Sequence, residues 1–471
     1  MLGYSTSWGD TIDMVTARIL PARIDTSASV LGLYLDDGPG PLRNLNAASY
    51  QASTKDLRVS PSGRDSVSFD ATFGYSLCVR KTYVFTDTGY VVGVHVTLAR
   101  ASTPVGGRYE LRWMRGMPYT ETGARNTDFN ETRGLLNLGG SRVEVHPKGE
   151  DLKREARPDQ VEYVASCTKY FVAALINEGD SSGAFADAVK LPQYITDPTG
   201  QKHDYGAVHV GLVRKLPVAR AEVKGVYGLY LGPKRFASLQ AAGLDQTLYL
   251  GWQFTRAVGK LLLQFFLWLH GFFPNWGVVI ILFTIALKVL TYPFSAAQLR
   301  SVRSMQALQP HLKELKEKHA DDPQRLNLET LKLYRQHKVN PLGGCVPILL
   351  QMPIFVALWA VLNNAMELRK APFIWWIHDL SQPDPTWILL LLMCGSMVWQ
   401  QKMTITDPTQ KFMIYLTPAM FLFLFHNMPS GWVLYFLIFN GLSIAQQYGV
   451  IWWGKRAAEN TVSLGTSWKA K

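Results

Sequence analysis

Hydrophobic positions follow two different rhythms along this chain. Up to about residue 235 they alternate with polar ones. Beyond about residue 275 they run on in long blocks. In 90–98 (YVVGVHVTL), Val92, Val94, Val96 and Leu98 share one face, and in 109–113 Tyr109, Leu111 and Trp113 do the same. Residues 161–176, 207–216 and 223–231 are likewise rich in Val, Tyr and Phe, and Gly, Pro, Asp and Asn punctuate the gaps. Many short strands separated by turn signals predict an all-β domain over 1–235, a sandwich of antiparallel sheets. The charged stretch 148–159 (KGEDLKREARPD) reads as an exposed hairpin or loop.

From 236 the pattern changes. Residues 236–275 read as a linker followed by a helix. Its apolar part, 258–273 (VGKLLLQFFLWLHGFF), carries Lys260, Gln264 and His270 and stops at Pro274. That is short for a membrane span. It predicts an amphipathic helix lying in a membrane interface, with a short buried helix as the alternative. Residues 276–294 (WGVVIILFTIALKVLTYPF) are about long enough to cross a hydrocarbon core, which takes roughly 20 residues. Residues 295–340 are polar. Met305, Leu308, Leu312 and Leu315 recur at three- and four-residue steps, the seam of a coiled-coil-like helix. Asp322-Pro323 supplies an N-cap and a proline for a second helix, and Pro341, Gly343 and Gly344 close a helical hairpin. Four further apolar blocks at about 345–365, 387–403, 412–428 and 431–453 complete an α-helical core of five transmembrane spans within 276–453. Residues 454–471 form a basic tail.

Charge gives this arrangement a direction. The 471 residues carry a net charge of +12, and much of the Lys and Arg flanks apolar blocks. An anionic membrane surface therefore explains the balance better than a nucleic acid does. Arg300, Arg303, Lys313, Lys316, Lys318, Arg325, Lys332, Arg335 and Lys338 crowd the hairpin, and the positive-inside rule makes it cytoplasmic. The loop 366–386 has both charge signs, and with Trp375, Trp376 and Trp387 it reads as an outer aromatic belt. Lys402 and Lys411, then Lys455, Arg456, Lys469 and Lys471, mark the inner side again. The β domain precedes the first of these spans and so lies outside.

Conventional chemistry is hard to find. Cys78, Cys167, Cys345 and Cys394 form no CxxC pair, which leaves a zinc or redox motif unsupported. Cys345 and Cys394 read as small core residues, and a Cys78–Cys167 disulfide is left open. His95, His146, His203 and His209 are dispersed, without metal-ligand spacing, and no nucleophile elbow or phosphate loop appears. Asn130-Glu131-Thr132 fits a glycosylation sequon, a triplet common by chance. The expectation is a protein that is not an enzyme and has no metal or cofactor.

The residue that does stand out is Lys288. At about 1.5 Å per residue it lies about 18 Å from Trp276, well inside the first span. A cation near the bilayer centre costs about 2.5–3.5 kcal/mol on insertion scales. Its ammonium either snorkels to the nearer surface or faces a wet cavity. Thr284 shares its helical face. Gln351, Ser396, Gln400, Tyr435, Asn440 and Ser443 lie inside the later spans, and Asn427 ends one. Each has a plain structural explanation, since Ser and Thr bond back to their own helix and Asn and Gln join helices. Together with one cation and no intramembrane carboxylate they favour a hydrated groove over a proton relay.

Residues 276–453 resemble the YidC/Oxa/Alb membrane-protein insertase family. The segments that carry the likeness are NWGVVIILFT (275–284), KVLTYPFSAAQ (288–298), LQP (308–310), KVNPLGGCVPILLQMPIF (338–355), ELRKAPFIWWIHDLSQPDP (367–385), TDP (406–408) and MPSGWVLYF (428–436). LYLGPKRF and LDQTLYLGW, within 229–252, resemble the segment before the membrane part of bacterial members, and the β domain fits their large periplasmic domain. The resemblance implies a positively charged groove, closed to the outside and open to cytoplasm and lipid, through which client segments reach the bilayer. Its charge, usually arginine, is here Lys288, which lacks the planar fork. The client-contacting aromatic positions fall on Tyr435 and Phe436, and Thr284 and Ser443 on polar groove positions. Bacterial members with a large outer domain begin with a transmembrane helix. MLGYSTSWGD is neither signal peptide nor anchor, so a truncated start is expected.

The function implied is a non-enzymatic insertase or chaperone of the bacterial inner membrane, acting alone or with the Sec translocon. Its expected partners are nascent membrane proteins, the ribosome and targeting machinery, and anionic lipids, with no specific nucleic acid. Arg300, Arg303, Lys313, Lys316 and Arg325 would make the cytoplasmic hairpin's contacts. Two other classes compete: a small-solute channel or transporter, which predicts internal repeats that the chain lacks, and a membrane-anchored sugar-binding module, which needs a paired-carboxylate cleft in the β domain.

Overall fold

The computed structural model describes residues 3–5, 11–13 and 31–467, apart from 38–40, 55–56, 61–62, 75, 88, 101–106, 115, 118–119, 121–130, 148–151, 157–160, 180–182, 197–201, 217–220, 253, 320–321, 338, 340–345 and 406–410. Asn130, Lys338, Pro341, Gly343, Gly344, Cys345, Lys469 and Lys471 therefore lie outside the described residues. The chain divides into two compact units, Met1–Leu248 and Tyr249–Lys471.

The first unit is built on strands β1 (Gly3–Ser5), β2 (Thr11–Asp13), β3 (Leu31–Asp36), β4 (Arg43–Asn44), β5 (Gln51–Ala52), β6 (Arg64–Phe73), β7 (Leu77–Thr86), β8 (Val91–Arg100), β9 (Arg108–Trp113), β10 (Arg133–Leu138), β11 (Ser141–Val145), β12 (Leu152–Ala156), β13 (Val161–Cys167), β14 (Phe171–Asn177), β15 (Gly183–Thr196), β16 (Lys202–Lys215) and β17 (Glu222–Pro233). One antiparallel sheet runs β11-β10-β13-β14-β17-β8-β7-β6-β5 and the other β12-β15-β16-β9-β3-β4. The N-terminal region is thus a β-sandwich. Period-2 patterning does the sorting: on β8 Val94, Val96 and Leu98 are buried while His95 is exposed, and on β9 Tyr109, Leu111 and Trp113 are buried. The hydroxyls of Tyr109 and Tyr227 meet at 2.7 Å and join the two sheets. Gly134 lets them approach, because a Cβ there would lie 2.6 Å from Val208 Cγ1. Helix α1 (Phe236–Ala241) buries Phe236 and Leu239 at the end of this unit.

One expectation is corrected. Residues 152–156 of the charged stretch are not loop; they form edge strand β12, paired with β15. Lys, Arg and Glu are tolerated, even useful, on an edge, where they oppose pairing with another chain. Cys78 and Cys167 are free thiols, the first exposed and the second buried.

The second unit is helical. Helix α2 (Arg256–His270) buries Leu262, Leu263 and Phe266 on one side and exposes Leu261 and Trp268 on the other. Helix α3 (Trp276–Leu290) starts at Asn275, whose side chain accepts from the N–H groups of Gly277 and Val278 and donates to Phe373 O. Gly277 leaves room for the Phe373 ring, which a Cβ would meet at 1.9 Å. Helix α4 (Tyr292–Ala307) follows at 64° to α3. Thr291 Oγ1 bonds back to Leu287 O, and Pro293 lies in the first turn of α4.

The seam through Met305, Leu308, Leu312 and Leu315 is not one helix. The chain breaks at Leu308 into α5 (Gln309–Lys318), because Pro310 has no N–H to continue the ladder. Helix α6 (Pro323–Gln336) is capped by Asp322, which accepts from Arg325 N at 3.0 Å. His311 and His337 stack where α5 and α6 run antiparallel.

Helices α7 (Val346–Asn364), α8 (Ile388–Thr404), α9 (Met413–Phe425) and α10 (Ser430–Ser467) complete the unit. Residues Ser430–Trp452 of α10 are long and apolar enough to cross a membrane; α3 and α4 together pass the same test but are bent, and α9 is shorter. The loop between α7 and α8 is tightly organised. Asp379 accepts from Lys370 N and Ser381 N, and Asp384 caps α8 through Leu389 N. Lys370, Trp375 and Trp387 take left-handed backbone there, and Trp375 is 84% exposed.

Candidate functional site

A cleft of about 430 Å³ opens among α4, α7, α8 and α10, and Lys288 of α3 reaches into it. Each helix contributes one stripe. Ser295, Gln298, Leu299 and Val302 come from α4, Gln351, Met352 and Phe355 from α7, and Gln400 and Thr404 from α8. Tyr435, Phe436, Phe439, Ser443, Gln446 and Gln447 come from α10. These spacings of three and four residues put each set on one helical face.

The ammonium of Lys288 is held on the α10 side. Its Nζ donates to Ser443 Oγ at 2.7 Å and sits 4.4 Å from the centre of the Phe439 ring. Among the described residues no carboxylate pairs with it. Lower down, α4 is tied to its neighbours. Ser295 and Gln446 hydrogen-bond through their side chains, Arg303 Nη1 donates to Val450 O at 3.3 Å, and Gln306 Nε2 donates to Thr404 O. The cleft offers carboxamides, hydroxyls and one cation against aromatic and aliphatic walls, a surface for a chain of mixed polarity.

Six of the sequence-predicted residues come together here: Lys288, Gln351, Gln400, Tyr435, Phe436 and Ser443. Three do not line the cleft. Thr284 is fully buried with its hydroxyl donating to Ile280 O. Ser396 donates to Met393 O and accepts from Asn440 Nδ2 at 3.3 Å, a polar contact between α8 and α10. Those three follow the plain explanation, back-bonding and interhelical contact. Sequence reasoning missed Ser295, Gln298, Thr404, Gln446, Gln447 and Phe439. The signal existed: Thr404 is one turn beyond Gln400, Gln446 and Gln447 one turn beyond Ser443, and Phe439 one turn before it.

The basic hairpin residues are spread out. Arg303 turns back onto α10 as described, Arg300 bonds within its own helix, and Lys313 lies 3.9 Å from Glu317. Lys316 lies in the last turn of α5, and Arg325 contributes its backbone N–H to the Asp322 cap.

The β unit has a second concavity, on the polar face of its nine-stranded sheet, about 850 Å³ in volume. Its carboxylates are engaged: Asp70 pairs with Arg80 at 2.6 Å and Glu222 with Lys224 at 3.3 Å. Among the described residues, no Phe, Tyr or Trp lines it; His95 is its one ring.

Comparison with known proteins places both units. Residues 21–265 match the family model of the YidC periplasmic domain, and residues 268–456 that of the 60Kd inner membrane protein. The membrane protein insertase YidC of Chloroherpeton thalassium (strain ATCC 35110 / GB-78) is 31% identical over 450 residues, 90% of this chain and 75% of that protein. The chain belongs to the YidC family. A relative of the same name from Chlorobium phaeovibrioides (strain DSM 265 / 1930) is 37% identical over 390 residues, 78% of this chain. The match spans 65% of that relative's length. A crystal structure of an active YidC insertase with its first transmembrane domain resolved covers 88% of this chain and 83% of that one, at 20% identity and a TM-score of 0.40.

Proposed function

We propose that the protein is a membrane-protein insertase that moves segments of nascent proteins from the cytoplasm into the bilayer without covalent chemistry. The observation that carries this reading is the Lys288 ammonium facing a cleft of mixed polarity, with no carboxylate beside it among the described residues. Family membership supports the same reading.

In this reading α3, α7, α8, α9 and α10 are the five spans. Their outward surfaces favour lipid: Trp399, Tyr415, Met420 and Phe423 are all at least half exposed. The β unit is periplasmic, the α5–α6 hairpin and the C-terminal tail are cytoplasmic, and the sections divide as 1–235, 236–275, 276–294, 295–340, 341–453 and 454–471. Trp375 and Trp387 sit at the outer interface. Water in the cleft shortens the apolar distance that a polar segment must cross, and so lowers the cost of unsatisfied backbone and side-chain groups in hydrocarbon. Lys288 attracts acidic side chains in the arriving segment, and the carboxamides of Gln351, Gln400, Gln446 and Gln447 replace hydrogen bonds to water. The basic hairpin, with Lys313, Lys316 and Arg325 outward, meets the ribosome, targeting machinery or client, and anionic lipid holds the inner flank. The Sec translocon is a partner for larger clients.

The ion pairing of Asp70 and Glu222 in the β-unit concavity speaks against sugar processing there. Lys288→Glu tests the central claim. In proteoliposomes it should lower insertion of a client with an acidic translocated end about tenfold relative to a neutral one, equivalent to about 1.4 kcal/mol. Equal insertion of both clients would refute the electrostatic part.

A further inference from the structure

We propose that Phe439 is a positioning residue: with Ser443 it fixes the Lys288 ammonium against α10, so that the cleft selects a segment bearing a carboxylate over a neutral one. This rests on the insertase reading above and deepens it.

The argument starts from the ammonium's three N–H donors. Ser443 Oγ donates its own proton to Phe439 O at 2.8 Å, the usual back-bond of a helical serine. Its hydrogen is thereby committed, and its lone pairs are what Lys288 Nζ meets at 2.7 Å. The Phe439 ring, 4.4 Å from Nζ, presents its electron-rich face to a second quadrant of the cation. The ring is itself held: Tyr435 packs on it at 5.8 Å between centroids, and Trp432 stacks on Tyr435 at 5.4 Å and 18°. A flexible four-carbon stem would otherwise let the charge wander through the cleft. Pinned on two sides by one helix, the ammonium keeps its remaining donor for an incoming group. Neither contact neutralises it, since a hydroxyl and a ring carry no net charge.

Two measurements on the full chain decide this. The first is the NMR signal of the Lys288 ε-methylene in carbon-13-lysine-labelled protein in lipid nanodiscs, assigned with Lys288→Arg. An aromatic ring face so close should shift it upfield. Phe439→Leu should return it to the ordinary lysine position, and Phe439→Tyr should keep it shifted. An unshifted signal in the wild-type chain, or a shift that survives Phe439→Leu, overturns the positioning. The second is the ratio of acidic-client to neutral-client insertion in proteoliposomes. Phe439→Leu should lower it on the order of threefold to tenfold, with Phe439→Tyr restoring it. The same ratio in both variants overturns the selectivity. A wild-type chain that inserts both clients alike would instead sink the charge reading beneath it, while the spectrum still decides the positioning.

Discussion

The two units of this protein solve opposite problems with the same residue types. In the β unit the largest side chains go inside: Trp113, Tyr109, Tyr170, Tyr227 and Tyr230 are almost wholly buried. In the helical unit Trp399, Tyr415 and Phe423 point outward, and glutamines gather inside around a cleft. Buried lysines sharpen the contrast. Lys81, Lys234 and Lys288 are 7%, 2% and 9% exposed. Lys81 bonds to Asn46 Oδ1 at 2.8 Å and lies over Tyr50, and Lys234 bonds to Thr168 O. Burial pulls both of these down to about 8. Lys288 has similar contacts, a hydroxyl and a ring, but an open cleft lies beyond it. Nominal burial is therefore a poor guide to surroundings; what lies past the charged atom separates Lys81 and Lys234 from Lys288, which the proposed function has meet a client.

The contrast breaks most visibly at Trp113. Trp113→Ala should destabilise the β unit by about 3–5 kcal/mol, because the site is fully packed and Trp113 Nε1 also donates to Gly116 O. Pulse proteolysis in denaturant reads it. A cost below about 1 kcal/mol would mean that this core is looser than its burial indicates. Next comes the outward face of the helices. Met420 lies mid-way along α9 and is half exposed. Met420→Lys should cost about 2.5–3.5 kcal/mol if lipid covers that face, seen as a lower yield of alkali-resistant, membrane-integrated protein. A silent substitution would put that face in water. The smallest effect is expected at Lys81. Its folded-state pKa of about 8 lies below the usual lysine value of 10.5, so between these two values the unfolded chain binds more protons than the folded one. Stability should rise with pH across that window, and the cost of burying the charge is fully present below it. Lys81→Met should then stabilise the β unit by about 1–3 kcal/mol at pH 7, with the gain fading toward pH 10.5. A pH-independent difference would show that Lys81 carries no such burden.

Much of this was legible beforehand, though unevenly. Alternation picked out β8 and β9, and richness in Val, Tyr and Phe picked out β13, β14, β16 and β17. Both passed over β6 (RDSVSFDATF) and β12 (LKREA), where polar side chains dominate a thinly covered strand or an edge. Strand pairing, not composition, makes those segments extended. Among the site residues, position in an apolar block was enough to nominate Gln351, Gln400 and Ser443. It was not enough to separate them from Thr284, Ser396 and Asn440, because a hydroxyl or amide in a helix looks the same whether it bonds to its own backbone, to a neighbour or to nothing.

By itself, the sequence determined the division into an alternating and a block-patterned half, the family, and a cation well inside an apolar block. Those are properties of periodicity and residue type, which act locally along the chain. Tertiary structure alone decided that Thr284 does not line the cleft, and that Phe439 and Ser443 meet the ammonium. The reason is geometric: the rotation of one helix against its neighbours chooses which stripe faces a void, and residues 151 to 155 positions apart, such as Lys288 and Ser443, meet only when that rotation is fixed.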